Sequence, residues 1–85
     1  MITFSYTIKD ALGIHARPAG SLAKVAKGFE SEIFISLGDK KVSATKIIAV
    51  MGMGIKYSDT VTVTAEGSDE EKAAKAIKSF LEENL

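Results

Sequence analysis

Three stretches of this chain alternate apolar and polar residues at a period of two, and two others repeat at the period of a helix. This interleaving sets the order of elements before any single residue is weighed. Ile2, Phe4, Tyr6 and Ile8 alternate with Thr3, Ser5, Thr7 and Lys9, as in a strand with one buried face. Ile33, Ile35 and Leu37 share one face of a second strand over 32–37. Gly38-Asp39-Lys40 then turns the chain into a short third strand, Lys41-Val42-Ser43, completing a hairpin. From Thr60 to Glu66 the alternation returns, with Val61, Val63 and Ala65 inward and threonines outward.

The helical periods lie between and after these runs. Leu22, Val25, Ala26 and Phe29 recur at helical spacing and define a buried stripe. Pro18 marks the start of that helix, because proline suits a first turn and not an interior. Gly28 is expected to end it in the left-handed conformation. Ser68-Asp69-Glu70-Glu71 reads as a capping box opening a C-terminal helix, whose stripe is Ala73, Ala74, Ile77 and Leu81. In Thr45-Lys46-Ile47-Ile48-Ala49-Val50-Met51, strand and short helix compete, because Ile47, Ile48 and Val50 are β-branched. A short helix capped by Ser43 or Thr45 is the reading adopted. The order is β-α-β-β-α-β-α, a single domain over residues 1–85. It predicts a two-layer α+β sandwich whose outer sheet face, bearing the threonines, Ser5 and Lys9, is wet.

Composition narrows the function classes. The 85 residues are 46% apolar and 26% charged, as in an ordinary globular chain. No cysteine is present, so there is neither a disulfide framework nor a thiolate site. With no secretory h-region and no membrane-length apolar run, a cytoplasmic protein without membrane insertion is expected, and a monomer is the default. Net charge is zero but unevenly spread. From His15 to Lys56 seven Lys and Arg face three acids, whereas from Tyr57 to Leu85 three Lys face seven acids. The basic half suits acidic protein partners. Nucleic acid is a poor fit, because arginine is nearly absent and no aromatic set is interleaved with the lysines.

The only histidine, only arginine and only proline fall together in Gly13-Ile14-His15-Ala16-Arg17-Pro18-Ala19. A helix start presents N–H groups without intrahelical partners and carries partial positive charge, so it favours phosphate. Neutral imidazole is available near pH 7, with an unperturbed pKa of about 6.5, and is a competent nucleophile towards phosphorus. Arg17 offers a planar fork of donors for phosphate oxygens. The transfer itself is mostly positioning and charge stabilisation, and requires no metal or cofactor. One His without Cys excludes a metal site. On spacing alone, a histidine near a helix start is more often a surface residue or a cap, so the residues by themselves define only a candidate phosphate or phosphohistidine site.

The heptapeptide, the segment Ile47 to Gly54 and Thr62-Val63-Thr64-Ala65-Glu66-Gly67 together resemble the HPr family. These are the histidine-containing phosphocarriers of the bacterial phosphoenolpyruvate-dependent sugar phosphotransferase system, and the likeness runs over essentially the whole chain. It implies an open-faced sandwich of four antiparallel strands, covered on one face by three helices. It also implies that His15 accepts a phosphoryl group from phospho-enzyme I through Nδ1 and passes it to IIA domains of sugar permeases. Arg17 would orient the group, and the amides of Ala16 and Arg17 would bond its oxygens. The implied role is that of a carrier, not an independent catalyst. The partner surface carried over comprises Leu22 or Lys24, with Lys27, Lys46, Ile47, Ile48 and Met51; Ile47 and Ile48 read equally well as core. A regulatory or nitrogen-branch paralogue acting by protein binding remains open, as does a stand-alone ligand-binding domain.

One position departs from the pattern. Where many family members carry a regulatory serine at the start of the second helix, this chain has Lys46. Ser43 and Thr45 are close, but read as helix caps. Incubation with a serine-directed, ATP-dependent kinase should therefore leave Ser43 and Thr45 unlabelled by mass spectrometry. Stoichiometric phosphate on either would mean that the regulatory site has moved.

Overall fold

The inner faces of the two central strands fill the middle of the molecule. In the computed structural model, which describes residues 1–14 and 16–85, Ile33, Ile35, Val61, Val63 and Ala65 are all at most 3% exposed. The elements are β1 (Ile2–Thr7), α1 (Ala16–Lys27), β2 (Glu32–Leu37), β3 (Lys40–Ser43), α2 (Ile47–Gly52), β4 (Thr60–Glu66) and α3 (Glu70–Asn84). The predicted order β-α-β-β-α-β-α is the observed one, and the segment after Thr45 is helical.

The sheet order is β1-β4-β2-β3 with every pair antiparallel. In register, Ile2 lies opposite Ala65, Ala65 opposite Ile33, and Val63 opposite Ile35. One face of the sheet is therefore continuously apolar. Against it pack Pro18, Ala19, Leu22, Ala23 and Ala26 of α1, Val50 of α2, and Ala73, Ala74, Ile77 and Leu81 of α3. Burial of such a face supplies most of the stability of a small domain. The outer face is wetter, as predicted: Thr3, Ser5, Thr7 and Lys9 are exposed, and Lys41 Nζ lies 4.9 Å from the Phe34 ring centroid.

Several local expectations are corrected. The α1 stripe includes Ala19 and Ala23, while Val25 and Phe29 are only half-buried; small residues let the helix approach the sheet closely. Gly28 follows the last turn without entering the left-handed region. Its N–H donates to Val25 O at 3.1 Å and that of Phe29 to Ala26 O at 3.3 Å, tightening the turn instead. The hairpin loop is two residues, with Leu37 paired to Lys40. Positive φ at Gly38 and not at Asp39 matches a II′ turn.

Neither predicted helix cap forms. Lys46 stands at the N-cap of α2 without a side-chain cap bond, because the Ser43 and Thr45 hydroxyls are 2.8 Å apart and bond each other. Asp69 occupies the N-cap of α3, again without a side-chain cap. Ser68 Oγ instead donates to Glu30 Oε2 at 3.2 Å, and Glu70 Oε1 accepts the Gly67 N–H at 3.2 Å.

The Asp69 carboxylate is engaged across the fold. It accepts the Ser31 hydroxyl, the Ser31 N–H at 2.9 Å and the Glu30 N–H at 2.9 Å. Above all the Ser31 hydroxyl, then the backbone N–H of Glu30, hold its carboxyl below the ordinary value. A folded-state pKa below the unfolded one stabilises the fold at higher pH, and that stability is lost as pH falls through the folded value. Asp69→Asn should lower the urea midpoint at pH 7. The two proteins should converge as pH drops below about 4, as read by circular dichroism.

Candidate functional site

Two loops hold the start of α1. In the first, Asp10 Oδ2 accepts the Leu12 N–H at 3.0 Å and Asp10 O accepts the Gly13 N–H at 3.1 Å, a side-chain-stabilised turn. The Asp10 N–H in turn donates to Leu85 O at 2.8 Å. In the second, Lys56 N–H donates to Asp59 Oδ2 at 2.9 Å and Asp59 N–H to Lys56 O at 3.0 Å. The loops are latched by Ile8 N–H to Asp59 O and Ser58 N–H to Ile8 O, each 2.9 Å, and by Ile14 N–H to Ile55 O at 3.1 Å.

Gly13 sits where they touch. Its φ is +68°, and a Cβ there would lie 2.4 Å from Ile55 O and 2.7 Å from Lys56 Cα. Only glycine permits this approach. The chain thus leaves β1, passes under the 55–59 loop and enters α1 at Ala16. His15, the candidate acceptor, lies outside the described residues.

Ala16 and Arg17 open α1 and are exposed, whereas Pro18 and Ala19 are buried in the same turn. The helix is therefore fastened to the core up to its first turn, while the N–H groups and guanidinium that can meet an anion face solvent. Helix geometry leaves the Ala16 and Arg17 N–H groups without intrahelical partners. The arrangement can bind a tetrahedral oxyanion beside residue 15.

α2 packs against α1. Ile48 is 81% exposed, and Ile47 and Met51 are exposed as well. Core was the competing reading for both isoleucines, and the structure places them on the surface. Lys24, Lys27 and Lys46 are exposed too, and neither α1 nor α2 contains an acid. Of the pair Leu22 or Lys24, the structure removes Leu22, which is 1% exposed and belongs to the core. Sequence reasoning passed over Leu12 and Tyr57, both exposed. Each flanks the contact of Gly13 with Lys56, and the available signal was an apolar residue standing outside any periodic run. Among the described residues no cluster of His, Cys, Asp or Glu is suited to a metal, and no helix is long and apolar enough to cross a membrane.

A family model described as "PTS HPr component phosphorylation site" matches residues 2–83. The chain belongs to the HPr family. It is 44% identical over 85 residues to the phosphocarrier protein HPr of Mycoplasma genitalium, covering 99% of this chain and 97% of that one. A mycoplasma histidine-containing phosphocarrier protein superposes with a TM-score of 0.93 at 40% identity, covering 96% and 93% of the two chains. An HPr dimer from Thermoanaerobacter tengcongensis gives 0.77 at 38% identity over 92% and 90%. The four-stranded antiparallel sheet with three helices on one face is thus the HPr fold. Membership makes the chain a phosphocarrier of the phosphotransferase system, a carrier of a group rather than a catalyst.

Burial separates the core and surface roles of the apolar residues. Leu22→Ala should cost about 2–5 kcal/mol of stability, and Gly13→Ala more than the ~1–3 kcal/mol of its strained backbone, because the added Cβ also clashes with Ile55 O. Ile48→Ala should stay within about 0.5 kcal/mol of the parent. Urea unfolding of the three variants measures all of these.

Proposed function

We propose that His15 is the phosphoryl acceptor of this chain, taking the group from phospho-enzyme I and passing it to IIA domains of sugar permeases. The supporting observation is that α1 begins at Ala16, the residue directly after His15, with Arg17 exposed in the same turn. The imidazole Nδ1 lone pair attacks phosphorus, and a P–N bond forms as the bond between phosphorus and its donor breaks. The Ala16 and Arg17 N–H groups and the Arg17 guanidinium stabilise the charge on the equatorial oxygens. Onward transfer reverses these steps. The acceptor's nucleophile takes phosphorus, and the imidazole leaves with its electron pair.

Docking uses the face of α1 and α2 beside this site. Ile47, Ile48 and Met51 form an apolar centre, and Lys24, Lys27 and Lys46 supply a rim of one charge sign. That combination suits brief association with acidic partners. The reading places the protein in the cytoplasm, acting as a monomer. With Lys46 at the start of α2, regulation by a serine kinase at that position is absent.

Intact-mass spectrometry at neutral to alkaline pH, after mixing with phosphoenolpyruvate and a bacterial enzyme I, tests the assignment. One phosphate should be gained, lost again in acid, and absent in a folded His15→Ala variant. Arg17→Ala should slow transfer without abolishing docking. A folded protein that gains no phosphate beside an active control carrier would instead favour a regulatory or nitrogen-branch paralogue acting by binding.

A further inference from the structure

β3 closes one end of the sheet and has no strand on its outer side. Its free backbone groups can be named. In an antiparallel pair, alternate residues direct N–H and C=O towards the partner strand. Ala44 N–H donates to Ile33 O at 2.8 Å and the two-residue loop pairs Leu37 with Lys40, so residues 40, 42 and 44 face β2. The N–H and C=O of Lys41 and the N–H of Ser43 therefore point out of the sheet; the Ser43 carbonyl is taken by Lys46 N–H at 3.1 Å.

Beside this edge lies a shallow groove between β3 and α2, lined by Lys40, Lys41, Val42, Ala49, Gly52 and Met53. Ala49, Gly52 and Met53 are spaced i, i+3 and i+4, hence share one side of α2. At about 100° per residue Ala49 and Met53 face away from Ile47 and Met51, while Gly52, four residues after Ile48, stands beside it. Gly52 is an unfavourable residue for a helix, yet nothing lies within 4 Å of where its Cβ would be. Its missing side chain leaves the groove open.

We propose that the β3 edge and this groove form a second docking site, which adds an extended segment of alternating apolar and acidic residues from a partner protein as a fifth strand. Main-chain bonds to Lys41 and Ser43 would supply affinity, and alternate side chains specificity. Residues on the helix side rest on Val42, Ala49, Gly52 and Met53. Those on the other side lie along Lys41, where carboxylates meet its ammonium; Lys40 shares the Val42 face at the end of the groove, and the one acid in the turn is Asp39. A second copy of the same edge is disfavoured, because lysines would face lysines. The site is centred away from Ile47 and Met51 and borders Ile48 only at Gly52, and the proposal does not depend on the phosphoryl reading.

The test is titration of the 15N-labelled full chain with a capped six-residue peptide alternating valine and glutamate, followed by amide shifts and hydrogen exchange. Expected are shifts confined to residues 40–43, 49, 52 and 53, and slowed exchange of the Lys41 N–H. Binding should weaken at least tenfold in Gly52→Leu and in Lys41→Glu, with Ile47→Ser unaffected. Phosphoryl acceptance should be unchanged in Lys41→Glu. If Gly52→Leu fails to fold by circular dichroism, Lys41→Glu on the exposed strand decides. Absence of shifts at millimolar peptide overturns the proposal. So do equal binding of a valine–lysine peptide, unchanged affinity in the decisive variant, or shifts centred on Ile47 and Met51.

Discussion

The whole arrangement rests on a sheet that buries only one of its faces. Three helices must then share a single apolar surface, and their positions follow from how closely each can approach it. α1 approaches through Pro18, Ala19, Ala23 and Ala26 around one large residue, Leu22. Because Pro18 and Ala19 are already buried, the helix is anchored at its very first turn. Ala16 and Arg17 are exposed on the same turn. Packing thus holds the anion-binding end of the helix still, without covering it.

α2 is the opposite case. It has six residues, a lysine at its N-cap and no side-chain cap bond, and an isolated helix of that length is unstable in water. What fixes it is tertiary: Val50 and Met53 are buried, and the helix packs against α1 and β3. A helix anchored by so few side chains leaves most of its circumference uncovered. Ile47, Ile48 and Met51 are exposed for that reason, and the groove at Ala49, Gly52 and Met53 stays open beside them. Surface exposure here follows from the shortness of the helix as much as from its composition.

The parts of this fold governed by period were legible in the sequence. Ile2 to Ile8, Ile33 to Leu37 and Thr60 to Glu66 each alternate because one side of a pleated strand is dry, and Ala73 to Leu81 repeat because one stripe of α3 is dry. The caps were not legible, because a cap hydroxyl or carboxylate chooses among partners that sequence spacing does not reveal. Asp69 and Ser68 turn to Glu30 and Ser31, close to forty positions earlier. Ser43 and Thr45 satisfy one another. Leu22 was legible as part of the buried stripe of α1, and its 1% exposure decides against its alternative place on the partner surface. The candidate site was legible as a motif, since the only His, Arg and Pro of the chain are adjacent; its supporting contact, Gly13 against Ile55 and Lys56, joins residues some forty positions apart and left no local signal.

A group carrier must release what it accepts, which limits how tightly its site can hold phosphate. On the proposed reading, the retaining groups are one guanidinium and the start of one helix, whose field is worth about 0.3–1 kcal/mol on an exposed charge. The lysines stand elsewhere, at Lys24 and Lys27 in the later turns of α1 and at Lys46 before α2. On that reading their charge would act on the approaching partner more than on the phosphoryl group, accelerating encounter while leaving release unhindered. Lys46 would add to that division, because its charge is permanent and does not depend on modification. It also opposes the dipole of α2, a cost such a short helix keeps small.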